Sequence, residues 1–323
     1  MLLIISNPRD DSADMVVSKI EGRGVPVLWW DEADFPERTT VSTEMLGGRC
    51  RQTLTHRGVS HDLAKVTAVW HRRPGPPAAT SVTDPTQRAY AEETARRLLH
   101  GVYDLMPARR WMPARPKDMV RVDDKLLHLR RAAELGFAIP DTVAGNDPGR
   151  LVPAWHRAGG RLISKTFDHR PFGVRGEEHH IYTTEVNRRD LAGRHRIRHA
   201  PVILQPNLAK AVELRVTVVG ERVFTAQIDS QSSRLTRQDW RHYDDPGVAY
   251  APHRLPPAVE ERCLRLVASF GLSYGAVDLV LTPDGEYVFL DLNVTGQWAF
   301  VELLAGLPIS AAIADWLTQT GTP

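Results

Sequence analysis

Several features that would settle the class of this chain at once are missing. Only two cysteines occur among 323 residues, Cys50 and Cys263, and they form no CxxC pair. That excludes a disulfide scaffold and a thiolate zinc site, and it fits a reducing compartment. No apolar run approaches membrane-spanning length, and Met1–Ser6 is too short and too weakly basic for a secretory signal. A cytoplasmic protein without a membrane partner is therefore expected. Neither sign of charge dominates, because 41 Lys and Arg stand against 39 Asp and Glu, a formal +2. No general attraction to nucleic acid follows from that balance. A GxxxxGK(S/T) phosphate loop and the protein-kinase signature set are both absent. Gly22 and Gly24 follow the first helix instead of opening it, so they are helix-end residues and not a dinucleotide fingerprint. Repeats and low-complexity tracts are absent too.

What is present is ordinary globular material, 42% hydrophobic and 25% charged, long enough for two or three subdomains. Arginine greatly exceeds lysine, which suits bidentate recognition of carboxylate and phosphate, although a GC-rich genome gives the same bias. Leu2–Ser6, a helix from about Ser12 to Glu21 and Val25–Trp30 read as a β-α-β opening. Val66–His71 is a further strand, Pro85 to about Leu99 a helix, and Met112–Pro116 a boundary. A second region starts with a helix from about Asp123 to Leu135, followed by the strand Leu162–Phe167. His169–His180 has no periodicity and reads as a mobile loop. Strands follow at Val202–Gln205, Leu214–Val219 and Val223–Ile228, then a helix Pro257–Ser269, and Ser310–Leu317 closes as a helix with Ser310 as N-cap.

The segment Gly275–Trp298 carries the most chemistry. Two strands, Ala276–Thr282 and Tyr287–Asn293, flank the turn residues Pro283-Asp284-Gly285-Glu286. If Thr282 faces Tyr287, then Val277, Leu279 and Leu281 lie opposite Leu292, Leu290 and Val288. The other face then carries Asp278 against Asp291, beside Tyr287 and Phe289, with Asn293 two residues on. Opposed Cβ atoms are roughly 4.5–5.5 Å apart. Like charges that close need a proton or a cation between them. Magnesium fits, since it is held by one or two carboxylates together with nucleotide phosphates. The competing reading is a solvated acidic hairpin.

Other clusters say less. Adjacent His179 and His180 point to different sides of an extended chain, and no further ligand pair has good spacing, so zinc is rejected. Arg188, Arg189, Arg194, Arg196 and Arg198 read as a solvated face, with recruitment of an acidic peptide as the minor alternative.

Taken together, Asp278, Asp291-Leu292-Asn293, Lys165 within Leu162–Phe167 and Lys125 within Asp123–Leu127 resemble the metal and phosphate residues of ATP-grasp ligases. The likeness narrows to the macrocyclases of ribosomal peptides, the graspetide or microviridin type. It is carried by Val69–Pro74 (VWHRRP), Glu134–Thr142, Val202–Gln205 with Lys210 and Glu213–Val216, Asp239-Trp240-Arg241, and Asn293 through Gln297-Trp298. It runs collinearly from Val66 to Ser310. Three positions depart from the family pattern. Asp291 stands for a usual glutamate, Val294-Thr295 for a proline-asparagine pair, and an upstream asparagine is missing around Met112–Pro116.

The resemblance implies an α/β ATP-grasp fold with an N-terminal pre-ATP-grasp α/β domain over 1–116, a central subdomain over 117–203 and a C-terminal subdomain with the metal site over 204–323. It implies ATP and Mg2+ as cofactors, with Lys125, Lys165, Lys210, Leu204 and Gln205 on the nucleotide and Asp278, Asp291 and Asn293 on the metal. Arg215 and Arg241 would stabilise the transferring phosphoryl group. Against these roles stand an edge-strand lysine for Lys165, a solvated helix face for Lys125, a strand cap for Gln205 and a cross-strand ion partner for Arg215. The implied reaction activates Asp or Glu side chains of a ribosomal precursor peptide and closes ester or amide rings with Ser, Thr or Lys. The precursor's leader segment would be recognised by a homodimer. Rival readings are a ligase joining two separate molecules, an ATP-grasp kinase and a non-catalytic nucleotide-binding partner.

Overall fold

The computed structural model describes residues 1–167, 182–234, 236–237, 239–240 and 247–319, together with the backbone of 172–174 and 177–179. Leu2–Ser6 is buried at every position and forms the centre of a parallel sheet. The strand order there is Val27–Trp30, Leu2–Ser6, Ala68–Arg73, Arg110–Met112. Strands buried on both faces require cover on both sides. One cover is the helix Asp11–Glu21, capped by Asp10, with the last helix Ile309–Thr318. The other is Pro85–Leu105. The second helix is six residues longer than its sequence suggests at the C-terminal end, because Val102 and Tyr103 still face the core. A three-stranded antiparallel sheet, Thr39–Leu46, Arg49–His56 and Val59–Asp62, is appended to this layer.

Two antiparallel sheets form the remainder. A four-stranded sheet has the order Thr184–Glu185, Leu162–Lys165, Val202–Pro206, Val143–Gly145. A five-stranded sheet has the order Tyr250–Pro252, Arg222–Ile228, Val212–Val219, Tyr274–Leu281, Tyr287–Asn293. Leu214, Val216, Val218, Val277, Leu279 and Leu292 face the helices Lys125–Glu134 and Pro257–Ser269 in one core. On the opposite face Val219, Phe224, Ala226 and Tyr274 pack against Trp298, Val301 and the helix Ile309–Thr318, and the end that carries Glu213, Asp278 and Asp291 meets the four-stranded sheet across a cleft.

Several expectations change. Residues 172–174 and 177–179, expected as loop, pair as a short antiparallel ladder. Ser310 is not an N-cap: it lies inside Ile309–Thr318, and both its N–H and its hydroxyl are held by the Glu302 carboxylate. In the hairpin, Asp278 does oppose Asp291 and Val277 opposes Leu292, but a bulge follows. Leu279 then faces Phe289, and Leu281 faces Tyr287. Leu290 is the extra residue, as in any β-bulge. Phe289 consequently turns into the core, fully buried beside Phe137, and Leu290 takes the place expected for it next to the carboxylates.

Candidate functional site

A cleft enclosing about 720 Å³ of space, part of it open to solvent, lies between these two antiparallel sheets. Its walls combine Lys165, Gln205 and Lys210 from the four-stranded side with Glu213, Asp278, Leu290 and Asp291 from the five-stranded side. Lys125 reaches in from its helix, and Asp239 and Trp240 close another edge.

Strand alternation sets most of these directions. On Val212–Val219 the odd-numbered Glu213, Arg215 and Thr217 turn from the aliphatic core toward the cleft side, where they are nonetheless buried. Arg215 stands directly across the ladder from Asp278, and its Nη1 donates to both carboxylate oxygens at 2.8 and 3.0 Å. Its Nη2 donates to the Gln297 carbonyl at 3.0 Å. The expected alternatives of Glu213 or Asp229 as the ion partner give way to Asp278. Glu213 instead accepts from Lys210 at 2.8 Å and from the Ser230 hydroxyl at 2.9 Å. Burial raises the Glu213 carboxyl above its ordinary value against the pull of those two donors.

Asp124 caps the helix Lys125–Glu134 by accepting from Leu126 N and Leu127 N. That start places Lys125 and His128 one turn apart on the same face. Lys125 Nζ lies 3.4 Å from Asp291 Oδ2, and His128 Nδ1 lies 3.7 Å from Oδ1. Burial alone would raise the Asp291 carboxyl, but His128, Lys125 and Lys165 outweigh it and hold the group below the usual carboxylate range. Burial pulls Lys165 down to about 8 despite Asp291, with Lys125 and Lys210 adding to the effect. Three lysines, two opposed aspartates and one buried glutamate thus share a single cleft.

The sequence candidates distribute unevenly over this site. Lys125, Lys165, Gln205, Lys210, Asp278 and Asp291 all line the cleft. Gln205 is buried; its Nε2 donates to Thr142 Oγ1 at 3.0 Å, and its Oε1 has no protein donor. The Leu204 side chain packs against Leu151, Ala154 and Leu162, by the same alternation that aims Gln205 into the cleft. Asn293 is exposed on the strand beyond Asp291, where its Oδ1 accepts from Thr295 N at 3.1 Å. Arg241 lies outside the described residues, as do His169 and His180. The five arginines between 188 and 198 are exposed, as a solvated face requires. His128, Glu213 and Asp239 were not singled out by sequence as site residues. The helical spacing of His128 from Lys125 was the available signal for the first.

Among the described residues no group of three or more His, Cys, Asp and Glu side chains could hold a metal alone. Two opposed carboxylates beside a cationic pocket still fit magnesium shared with phosphates, which needs few protein ligands. No described helix is long and apolar enough to cross a membrane.

Comparison with known proteins agrees with this geometry. Residues 1–118 match the family described as the MvdD pre-ATP grasp domain. The macrocyclase MdnC of Microcystis aeruginosa MRC, solved with its precursor peptide MdnA, is 29% identical over 99% of both chains with a TM-score of 0.87. A RiPP-associated ATP-grasp ligase of Chryseobacterium gregarium, in complex with ADP and a leader and core peptide, is 28% identical. It covers 98% of this chain and 96% of its own, with a TM-score of 0.89. The macrocyclase MdnB of Microcystis aeruginosa MRC is 29% identical over 99% of both chains, with a TM-score of 0.82. No curated protein matches. Residues 1–118 thus match a pre-ATP-grasp domain, and along its full length the chain is similar to ATP-grasp ligases that act as ribosomal-peptide macrocyclases.

Proposed function

We propose that this enzyme uses ATP to phosphorylate Asp or Glu side chains of a ribosomal precursor peptide. Ser, Thr or Lys side chains of the same peptide then displace the phosphate and close ester or amide rings. The observation that carries this reading is the single cleft lined by Lys125, Lys165 and Lys210 and by the opposed Asp278 and Asp291. The lysines would bind the phosphates, and Gln205 would meet adenine. Asp278 and Asp291, with Asn293 at the rim, are the side chains to hold magnesium between protein and phosphates. Magnesium when bound supplies charge neutralisation during phosphoryl transfer. Arg215 orients Asp278 and faces the anionic acyl phosphate, and Arg241 is proposed for the same anion.

Phosphoryl transfer asks for positioning and charge, and little covalent chemistry from the protein. Burial around Arg215 and Glu213 keeps water from the activated carboxyl until an internal nucleophile arrives. The domain limits we propose are 1–116, 117–203 and 204–323. We also propose a cytoplasmic homodimer that engages the leader segment of the precursor, with neither nucleic acid nor membrane as partner. The near-balanced charge and the leader-bound Chryseobacterium gregarium relative support that assignment.

Mass spectrometry tests it. Enzyme, ATP, magnesium and the peptide encoded beside the gene should yield successive losses of one water, with one ADP and one phosphate released for each. A product heavier by a phosphoryl group would make the chain a kinase. A product that forms only when a second small molecule is added would make it an intermolecular ligase.

A further inference from the structure

Two motifs singled out by sequence find each other in space. Arg72 and Arg73 end the strand Ala68–Arg73 of the N-terminal layer, and Thr295-Gly296-Gln297 follows the carboxylate strand of the C-terminal layer. Arg72 is 3% exposed. Its Nη1 donates to the Thr295 carbonyl at 2.7 Å and its Nη2 to Gln297 Oε1 at 2.6 Å. Arg73 Nη2 reaches the same Thr295 carbonyl at 3.2 Å, and the Tyr274 hydroxyl donates to the Gly296 carbonyl at 2.7 Å. Ser12 adds a second donor to Gln297 Oε1 at 3.3 Å, so the side-chain end of Gln297 is held from two sides. Gly296 leaves no slack, because a Cβ there would lie 2.4 Å from Ala276 Cβ and 2.7 Å from Arg215 Nη2.

The backbone oxygen of that same Gln297 receives Arg215 Nη2, and Arg215 Nη1 holds Asp278. We propose that Arg72 is a positioning residue for the magnesium carboxylate. It fixes Gln297, Gln297 fixes the guanidinium of Arg215, and Arg215 fixes Asp278. The N-terminal layer thus acts on the reaction at a distance, through a loop that touches no phosphate itself. A carboxylate held by a guanidinium at both oxygens has one orientation, and the orientation of a ligand sets what it can bind.

The inference rests on the nucleotide reading above, and its test separates the two. Isothermal titration of ADP is carried out with and without magnesium on the wild type and on Arg72→Met, Gln297→Leu and Gln297→Glu. Adenosine titration and thermal melting serve as parallel readouts. Magnesium should tighten ADP binding to the wild type, and Arg72→Met and Gln297→Leu should lose about 10- to 100-fold of that gain. Adenosine affinity should stay unchanged in both. Gln297→Glu keeps the acceptor for Arg72 and should bind like wild type. Gln297→Leu leaves every charge in place, so it decides the matter if Arg72→Met does not fold. A lowered melting temperature with the full magnesium gain retained would reduce the clamp to an ordinary domain staple and overturn the proposal. Absence of any magnesium effect in the wild type would remove the nucleotide reading, and this inference with it.

Discussion

Arg215 and Asp278 face each other directly across the ladder between Val212–Val219 and Tyr274–Leu281, 2.8 Å apart and largely sheltered from solvent. Removing one partner of such a pair leaves a charge without its counterion, at ~3 kcal/mol or more. Arg215→Met should therefore lower stability in a chemical-denaturation curve. The double variant Arg215→Met/Asp278→Asn should recover most of that loss. Turnover should stay at least ~100-fold down in both, because the donor to the developing charge is gone either way. Recovery of activity in the double variant would make the pair structural only.

Asp291 sits where the side chains of Lys125, His128 and Lys165 converge, with one carboxylate oxygen near Lys125 and the other near His128. Asp291→Asn keeps the shape and removes the charge, so the fold should persist while ATP-dependent turnover disappears. Asn293→Ala should do the same with a smaller change in melting temperature. Full turnover in either variant, still requiring magnesium, would take the hairpin out of the chemistry.

Lys165 gives a pH signature. Its folded value is about 8 against an ordinary 10.5, so between those pH values the free protein has already lost a proton that phosphates would restore. Nucleotide binding near pH 9 should therefore take up a proton, and affinity should fall as pH rises through 8. Titration in buffers of different ionisation enthalpy measures this uptake directly. Lys165→Gln should abolish it, and should weaken ATP more than adenosine. The same shift makes unfolded chain the better proton binder from 8 to 10.5, so stability rises with pH across that window.

Gln205 predicts base selectivity. Thr142 donates its hydroxyl proton to the Pro140 carbonyl, so it can only accept from Gln205, which fixes the amide with Oε1 as the open acceptor. An acceptor there matches the amino group of adenine and opposes the carbonyl of guanine. Thr142→Val should free the amide to turn over and reduce the preference for ATP over GTP by roughly tenfold, about the value of one hydrogen bond. Equal discrimination in wild type and variant would place base recognition elsewhere.

Much of this arrangement was legible in the sequence, for identifiable reasons. The Asp278–Asp291 opposition followed from alternation around a turn, and Arg215 was placed on the correct face by the same rule. The bulge at Leu290 was not, because Leu290 and Phe289 suit an apolar face equally well and only packing against Phe137 chooses between them. The sheet Thr39–His56 was missed because its threonines, serines and arginines carry little hydrophobic alternation. The helix Pro148–Arg157 was hidden by Pro148, Gly149 and Pro153, although Asp147 caps it. The partner of Arg215 could not be read locally, since Asp278 is distant in sequence and joins it only through the ladder.

The last helix has a consequence for how the protein is made. Ile309, Ala312, Ile313 and Leu317 complete the cover over Leu2, Ile4, Val16 and Ile20, and Asp315 pairs with Arg23 and Arg222. A nascent chain therefore leaves Leu2, Ile4, Val16 and Ile20 without this cover until residues 309–317 leave the ribosome. Domains that fold in order of emergence are spared that interval. Here Leu2–Ser6 must wait for Ile309–Thr318, and the apolar face between them stays open to non-native contacts in the meantime.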